Sequence, residues 1–237
     1  MQSYFEELKQ DGSIVSYEID GEGILAELPS GVEFFYTPDV EGYDSGTSSA
    51  TLQIGTYQPC RAGYTDYRSA YMGYVDEGAE MIDKEYSTYE FNESQNYDDD
   101  EVVPSAISAS VLNNVILWHG HGGYSKKHGP TLVTGLNSSL ENIIDYYEAF
   151  KNKELLFSFS GNALLTREFI NNRIADGTYD NTVVYLAACL SGYDETLAQA
   201  FINKGAKAVI VNNESILTTY NISMVREFSK GLTQTND

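Results

Sequence analysis

The sequence contains little cysteine, few basic residues and no long apolar run. Its 237 residues include two cysteines, and 14 lysines and arginines stand against 35 aspartates and glutamates. Two cysteines are too few for a disulfide framework, so a hydrophobic core must stabilise the chain. The formal charge of −21 argues against nucleic acid or an anionic membrane as a partner. No apolar run approaches the roughly 20 residues of a membrane span.

The N-terminus and the composition bear on localisation. The first residues, MQSYFEELKQDG, contain neither the basic nor the apolar region of a signal peptide. The excess of acids and the 19 tyrosines are typical of an extracellular or cell-surface protein, and we expect a secreted bacterial one whose signal peptide is absent from this chain. A cytoplasmic location is the alternative, because that compartment keeps thiols reduced. Nothing in the sequence predicts an oligomeric state.

Charge and turn residues divide the chain into two parts. Residues 1–101 contain 23 acidic and 4 basic side chains, whereas residues 102–237 contain 12 and 10. Residues 13–36 predict three short strands separated by glycine-containing turns, and residues 39–50 form a polar linker. We therefore predict a β-rich N-terminal segment with its linker over 1–50 and a larger domain over 51–237. The first part is a candidate pro-segment, an extension of the sheet or a separate β module.

After residue 50, strand and helix patterns alternate. Apolar strand signals occur in ATLQIGTY, NNVILWHG, ELLFSFSG, NTVVYLAAC and AKAVIVN, and helical spacing occurs in SAYMGYVDEGAEMIDKEY, LENIIDYYEAF, LLTREFINNRI, ETLAQAFINKG and NISMVREFSKGL. Such alternation is typical of a parallel sheet with helices on both faces. The sequence predicts an α/β fold, a three-layer α/β/α sandwich with a mostly parallel central sheet of about six strands.

Residues of nucleophilic catalysis follow two of these strands. In open parallel sheets, ligands bind beyond the carboxyl ends of the strands, here near His119, Cys189 and Asn212. The three histidines of the chain, His119, His121 and His128, lie within ten residues of one another. The glycines beside His121 and Cys189 allow close approach of a substrate and leave peptide N–H groups for an oxyanion.

The stretches ILWHGHGG and VVYLAACLSGYDETLAQAFINKGAKAVI resemble the caspase-like (clan CD) cysteine peptidases, which include caspases, metacaspases, legumains, clostripains, gingipains and CHAT proteases. The second stretch is most similar to gingipain-type and CHAT-type bacterial sequences. The caspase signature likewise has a cysteine followed by glycine, with a histidine upstream. The resemblance implies that residues 51–237 form a caspase-like peptidase domain.

The resemblance also implies a mechanism. His121 and Cys189 form the catalytic dyad, and backbone N–H groups of Gly122 and Cys189 hold the oxyanion. The resemblance favours His121 over His119 because these families place the catalytic histidine in a Gly-His-Gly or x-His-Gly-Gly context, which Gly120-His121-Gly122-Gly123 supplies, although both histidines would face the same side of a strand. The implied activity is that of a thiol endopeptidase with a peptide or protein substrate and no cofactor or metal.

The substrate side chain that the enzyme prefers is not predicted. Ala187 stands where clostripain-type enzymes carry an acidic residue, which argues against arginine or lysine specificity. Arg61 lies where caspases place an arginine that recognises acidic substrates, and His119 is a further candidate substrate contact. Ordinary surface charge is an equal explanation for Arg61 and for Lys126 and Lys127.

Three alternatives remain open. His119, His121 and His128 could hold zinc in a metal-dependent hydrolase, although the aspartate and the later histidine of such sites are missing. A catalytically silent caspase-like binding module is the second alternative. Cys60 is either a second reactive thiol or an incidental one.

Overall fold

The computed structural model describes residues 2–20, 23–36, 50–55, 63–69, 92–98, 101–109, 115–137, 139–158 and 161–234. Within these ranges the helices are α1 (Gln2–Gln10), α2 (Pro104–Ala109), α3 (Leu140–Asp145), α4 (Tyr147–Lys151), α5 (Arg167–Arg173), α6 (Thr196–Asn203) and α7 (Thr218–Gln234). The strands there are β1 (Ser16–Asp20), β2 (Gly23–Glu27), β3 (Glu33–Tyr36), β4 (Ala50–Gly55), β5 (Gly63–Ser69), β6 (Asn92–Asp98), β7 (Val115–His119), β8 (Gly122–Ser125), β9 (Gly129–Asn137), β10 (Leu155–Ser158), β11 (Asn162–Leu165), β12 (Val183–Ala187) and β13 (Ala208–Ile210).

These strands form two sheets in the described part of the chain. The larger sheet has seven strands in the order β1-β2-β3-β10-β11-β9-β8, and each pairing except the parallel β3–β10 pairing is antiparallel. The smaller sheet has the order β13-β12-β7-β4-β5-β6. Its parallel core consists of β13, β12 and β7, and β4 runs antiparallel to β7.

The prediction of a three-layer sandwich around one mostly parallel six-stranded sheet is therefore wrong. The chain builds a larger, mostly antiparallel sheet beside a short parallel core. The reason lies in the connections. Three residues, 126–128, join β8 to β9, and three more, 159–161, join β10 to β11. Connections this short can join only antiparallel neighbours, since a parallel pair needs a crossover of about a dozen residues.

The N-terminal strands belong to the larger sheet. β3 pairs in parallel with β10, with Phe34 opposite Phe157 and Phe35 opposite Ser158. β1 and β2 continue the sheet outward from β3 as antiparallel neighbours. The three strands predicted between residues 13 and 36 are thus present, and they share backbone hydrogen bonds with the rest of the fold.

Strand β7 and most of β12 are buried on both faces. All five residues of β7 are buried, as its continuous apolar run predicts. One face carries Ile116, Trp118 and Leu186, which join the main core with residues of β9, α5 and α6. The other face carries Val115, Leu117, Tyr185 and Ala187, which pack against Val225 of α7. This double cover fixes the ends of β7 and β12, where the candidate site lies.

Several predicted boundaries are confirmed. Thr166 caps α5, and its hydroxyl accepts a hydrogen bond from the Glu168 N–H at 3.2 Å. Gly205 follows α6 with a φ of 109°, a conformation that favours glycine. The helix predicted over LENIIDYYEAF is split at Tyr146 into α3 and α4. The helix predicted over SAYMGYVDEGAEMIDKEY lies outside the described residues, apart from Ser69 at the end of β5.

Candidate active site

The ends of β7 and β12 place His121 and Cys189 on neighbouring chain segments. The two strands are parallel, and His119 lies opposite Ala187 in the register. The Gly120 N–H continues the ladder, since it donates to the Ala187 carbonyl at 3.3 Å. Neighbouring strands are about 4.8 Å apart, so the residues that follow leave the same edge of the sheet side by side.

Gly122 lies directly against the backbone of Cys189. A Cβ atom on Gly122 would lie 2.3 Å from the Cys189 carbonyl oxygen and 3.0 Å from the Ala188 Cβ. Only glycine fits this contact, because real Cβ atoms do not approach a backbone oxygen so closely. The His121 carbonyl accepts a hydrogen bond from the Val133 N–H at 3.0 Å, which holds this segment on β9. The structure thus brings the backbone of His121 and Gly122 beside that of Cys189 at one edge of the sheet.

The thiol of Cys189 contacts the loop between β13 and α7. Its sulfur accepts a hydrogen bond from the Ile216 N–H at 3.3 Å and lies 3.6 Å from the Ile216 carbonyl oxygen, to which the S–H donates. Cys189 is half-buried. The next residue, Leu190, has a φ of 57°, an unusual value for a residue with a side chain. The nucleophile candidate therefore lies on a sharply turned backbone and is partly exposed.

The side chains of the buried Ser191 and the half-buried Asn212 hold this turn in shape. The Ser191 hydroxyl donates to the Leu186 carbonyl at 2.9 Å and accepts from the Asn212 N–H at 3.0 Å. The Asn212 side chain donates to the carbonyls of Leu186 and Ala188, each at 3.3 Å. Because these bonds join three adjacent chain segments, they fix where the cysteine turn leaves the sheet.

A second asparagine fixes the end of β12 from the opposite side. Asn221 of α7 is 3% exposed, and its side-chain N–H donates to the Ala187 carbonyl at 2.6 Å. Sequence reasoning singled out the strand end at Asn212 but assigned no role to Ser191, Asn212 or Asn221. The signal for Asn212 was its place after the third apolar strand, whereas Asn221 lies inside a helix pattern that gives no such signal.

His121 lies half-buried at this edge. Burial lowers the pKa of its imidazole below the ordinary value of 6.5, because the charged form is poorly solvated there. At neutral pH the ring is therefore mainly neutral, which is the form that can accept the proton of a thiol. A group that takes a proton from sulfur and returns it to a leaving amine must be able to gain and lose a proton near the working pH.

The two predicted substrate contacts that the structure describes, Ala187 and His119, are buried. Ala187 is fully buried in the cluster that includes Val225. His119 is 2% exposed and, by the alternation of β7, shares the face of Val115 and Leu117 under α7. Arg61 and Cys60 lie outside the described residues.

Two tyrosine rings connect the histidine and cysteine segments. The rings of Tyr124 of β8 and Tyr193 of the cysteine turn pack together in a tilted arrangement, with centroids 4.3 Å apart and an interplanar angle of 44°. Tyr193 is 56% exposed, so this pair keeps an aromatic surface open to solvent. Sequence reasoning did not identify this aromatic contact between the two segments.

His128 lies apart from the other two histidines in its contacts. Its Nε2 is 2.6 Å from a carboxylate oxygen of Glu33 in β3. In the described residues, no group of three or more histidine, cysteine, aspartate or glutamate side chains could hold a metal ion. The described residues therefore give no support to the alternative of a zinc site with His119, His121 and His128 as ligands.

Comparison with known families, curated proteins and solved structures finds no match for this chain. Among the described helices, none has both the length and the apolar character needed to cross a membrane.

Proposed function

We propose that this protein is a cysteine-type endopeptidase that uses Cys189 as nucleophile and His121 as general acid and base. One observation carries the proposal: the Gly122 backbone, directly after His121, packs against the Cys189 carbonyl. A thiol, an imidazole and glycine N–H groups at one edge are the parts that acyl transfer requires. The resemblance of the two sequence motifs to caspase-like peptidases supports the same chemistry, independently of the fold.

In the proposed reaction, His121 takes the proton of Cys189, and the thiolate sulfur bonds to the carbonyl carbon of a peptide. The electron pair of the C=O bond moves to oxygen, and the N–H groups of Gly122 and Cys189 stabilise this oxyanion. The C–N bond then breaks as His121 returns the proton to the leaving amine. Water, deprotonated by His121, then bonds to the thioester carbon. The C–S bond breaks, His121 returns the proton to sulfur, and the carboxylic acid leaves.

The charge distribution limits the substrate class. The chain carries a formal charge of −21, which disfavours nucleic acid as a substrate. The proposed acyl transfer acts on peptides or proteins. The exposed Tyr193 ring beside the cysteine turn offers apolar contact to a substrate side chain. No cofactor takes part in the proposed reaction.

Hydrolysis of a diverse peptide library tests the proposal. Cys189→Ala should lower the rate at least about 1,000-fold, because no other group replaces the nucleophile. Cys60→Ser is the matched control and should stay within about twofold of the wild-type rate if Cys60 is an incidental thiol. Added EDTA should leave the wild-type rate unchanged.

Two results would overturn the proposal. The first is a wild-type protein that cleaves no peptide and whose Cys189 is not labelled by peptide-based acylating probes, which would favour the silent binding module. The second is an activity that survives Cys189→Ala and is lost with the chelator, which would favour a metal-dependent hydrolase.

A further inference from the structure

Three basic side chains contact a buried carboxylate in β3. Glu33 is 2% exposed, and its oxygens lie 2.6 Å from His128 Nε2, 2.7 Å from Lys127 Nζ and 3.2 Å from Lys153 Nζ. Lys153 also donates to the Gly31 carbonyl. We call these four side chains (Glu33, Lys127, His128 and Lys153) the Glu33 cluster.

The cluster holds its carboxylate in the ionised form. Burial alone would raise the pKa of Glu33, but hydrogen bonds from His128 and Lys127 and the charge of Lys153 lower it to about 2. Glu33 is therefore charged at all physiological pH values. Removing one partner of a buried ion pair is costly, because the remaining charge is left uncompensated.

Two members of the cluster belong to the turn that follows β8. Lys127 and His128 lie between β8 and β9, and their N–H groups both donate to the Ser125 hydroxyl at 3.2 Å. β8 itself is four residues long and begins at Gly122, which contacts Cys189. A strand of this length places its ends about 10 Å apart, so one short strand joins the cluster to the candidate site.

We propose that Glu33 is a positioning residue: its carboxylate fixes the turn at Lys127 and His128, and through β8 it fixes His121 and Gly122 against Cys189. The catalytic meaning of this role rests on the proposed peptidase function, but the positioning itself does not. The N-terminal β strands thus supply a support of the site from far upstream in the chain. In this role the N-terminal strands are part of the active protein and not a pro-segment that must be removed.

A second buried glutamate offers a matched control. Glu154 is 3% exposed and accepts hydrogen bonds from Arg173 Nε at 2.7 Å and from Asn172 Nδ2 at 3.1 Å, both at the end of α5. Glu154→Gln weakens a buried charged pair just as Glu33→Gln does. The side-chain partners of Glu154 lie on α5 and not in the β8–β9 turn, so the substitution of Glu154 does not directly loosen β8.

Amide hydrogen exchange in the segment 119–128 tests the positioning without any need for activity. In Glu33→Gln, exchange of this segment should rise at least about tenfold, since the turn loses its anchor, whereas Glu154→Gln should leave it within about twofold. Lys127→Met is the second variant. Lys127 is half exposed, so its loss cannot collapse the core, and we expect a rise of about threefold.

Peptide hydrolysis by the same proteins supplies the functional readout. Glu33→Gln should lower kcat about tenfold with KM unchanged, because a misplaced histidine affects the chemical step and not the binding of substrate. Equal exchange in the Glu33→Gln and Glu154→Gln proteins would overturn the positioning role. A wild-type protein without peptidase activity would instead refute the proposed function, while the exchange experiment would still decide the positioning.

Discussion

His121 and His128 lie at the two ends of one short strand, β8, and their surroundings differ completely. His121 lies half-buried at an edge built from glycine and cysteine backbone, and burial lowers its pKa. His128 is 5% exposed and its ring bonds to the carboxylate of Glu33. One imidazole lies at the candidate site, and the other is buried against a carboxylate.

The difference shows that closeness in sequence did not mean a shared role. Three histidines within ten residues suggested either a catalytic group or a metal site. A strand that is four residues long separates the last of them from the site, and the fold supplies a partner for it from β3. Substitutions at the two ends of β8 should therefore have different effects, which tests this division of roles.

The largest expected effect comes from the histidine at the thiol end. His121→Ala should lower the rate of peptide hydrolysis about 1,000-fold, because general acid–base catalysis by a positioned group contributes about 100- to 10,000-fold. His128→Gln keeps a hydrogen-bonding group next to Glu33 and should lower the rate about tenfold or less. Steady-state kinetics with one cleavable peptide measures both, and equal losses would contradict the division of roles.

The next effect concerns stability at the carboxylate end. The folded pKa of Glu33 is about 2 and its ordinary value is 4.5, so the unfolded chain binds more protons between these values. The ionised carboxylate therefore contributes about 3 kcal/mol above pH 4.5, and this contribution is lost as the pH falls toward 2. Urea denaturation of the wild type and of Glu33→Gln at pH 7, 4 and 3 should show the difference between them shrinking. A constant difference would refute the linkage.

The third effect returns to the thiol end. Gly122→Ala would place a Cβ 2.3 Å from the Cys189 carbonyl oxygen, so one of the two segments must move, and we expect about a 100-fold loss of activity. Gly123→Ala is the matched control, because its Cβ would meet only the Thr131 hydroxyl at 3.4 Å. Its rate should stay within about fivefold of wild type. Similar rates for the two variants would mean that the Gly122 contact does not matter.

The smallest expected effect is on an exposed member of the Glu33 cluster. Lys127 is half exposed, and solvent screens its bond to Glu33. Lys127→Met should therefore lower the free energy of unfolding by less than about 1 kcal/mol, with a smaller loss at high salt. Chemical denaturation at two ionic strengths measures this. A loss as large as that of Glu33→Gln would show that His128 and Lys153 do not hold the carboxylate.

Part of the fold was predictable from local pattern. The apolar runs of β7, β12 and β13 predicted strands, and the spacing in α5, α6 and α7 predicted helices; the structure confirms these elements. The antiparallel arrangement was missed because Gly122–Ser125 contains little apolar character, and because Leu164 and Leu165 of β11 were assigned to the following helix. Without β8, β9 and β11, the remaining pattern indicated a parallel sheet.

Only the residues of the candidate site that come just after a strand were predictable from the sequence. His121, Gly122 and Cys189 follow β7 and β12 directly, so the rule for parallel strand ends finds them. Glu33 and Asn221 come from distant parts of the chain, and only tertiary structure brings them to the turn at His128 and to the end of β12. A buried acid within an apolar strand was the one available signal for Glu33, since such a group requires a partner.

The most direct test of the central claim is the pH dependence of Cys189 alkylation by iodoacetamide. If His121 lies beside the sulfur, its change of protonation alters the thiolate, and the rate profile of the wild type should contain an extra step below pH 6.5. His121→Ala should abolish this step, whereas His128→Gln should retain it. Identical single-step profiles in all three proteins would show that the imidazole and the thiol do not interact, and the account would be wrong.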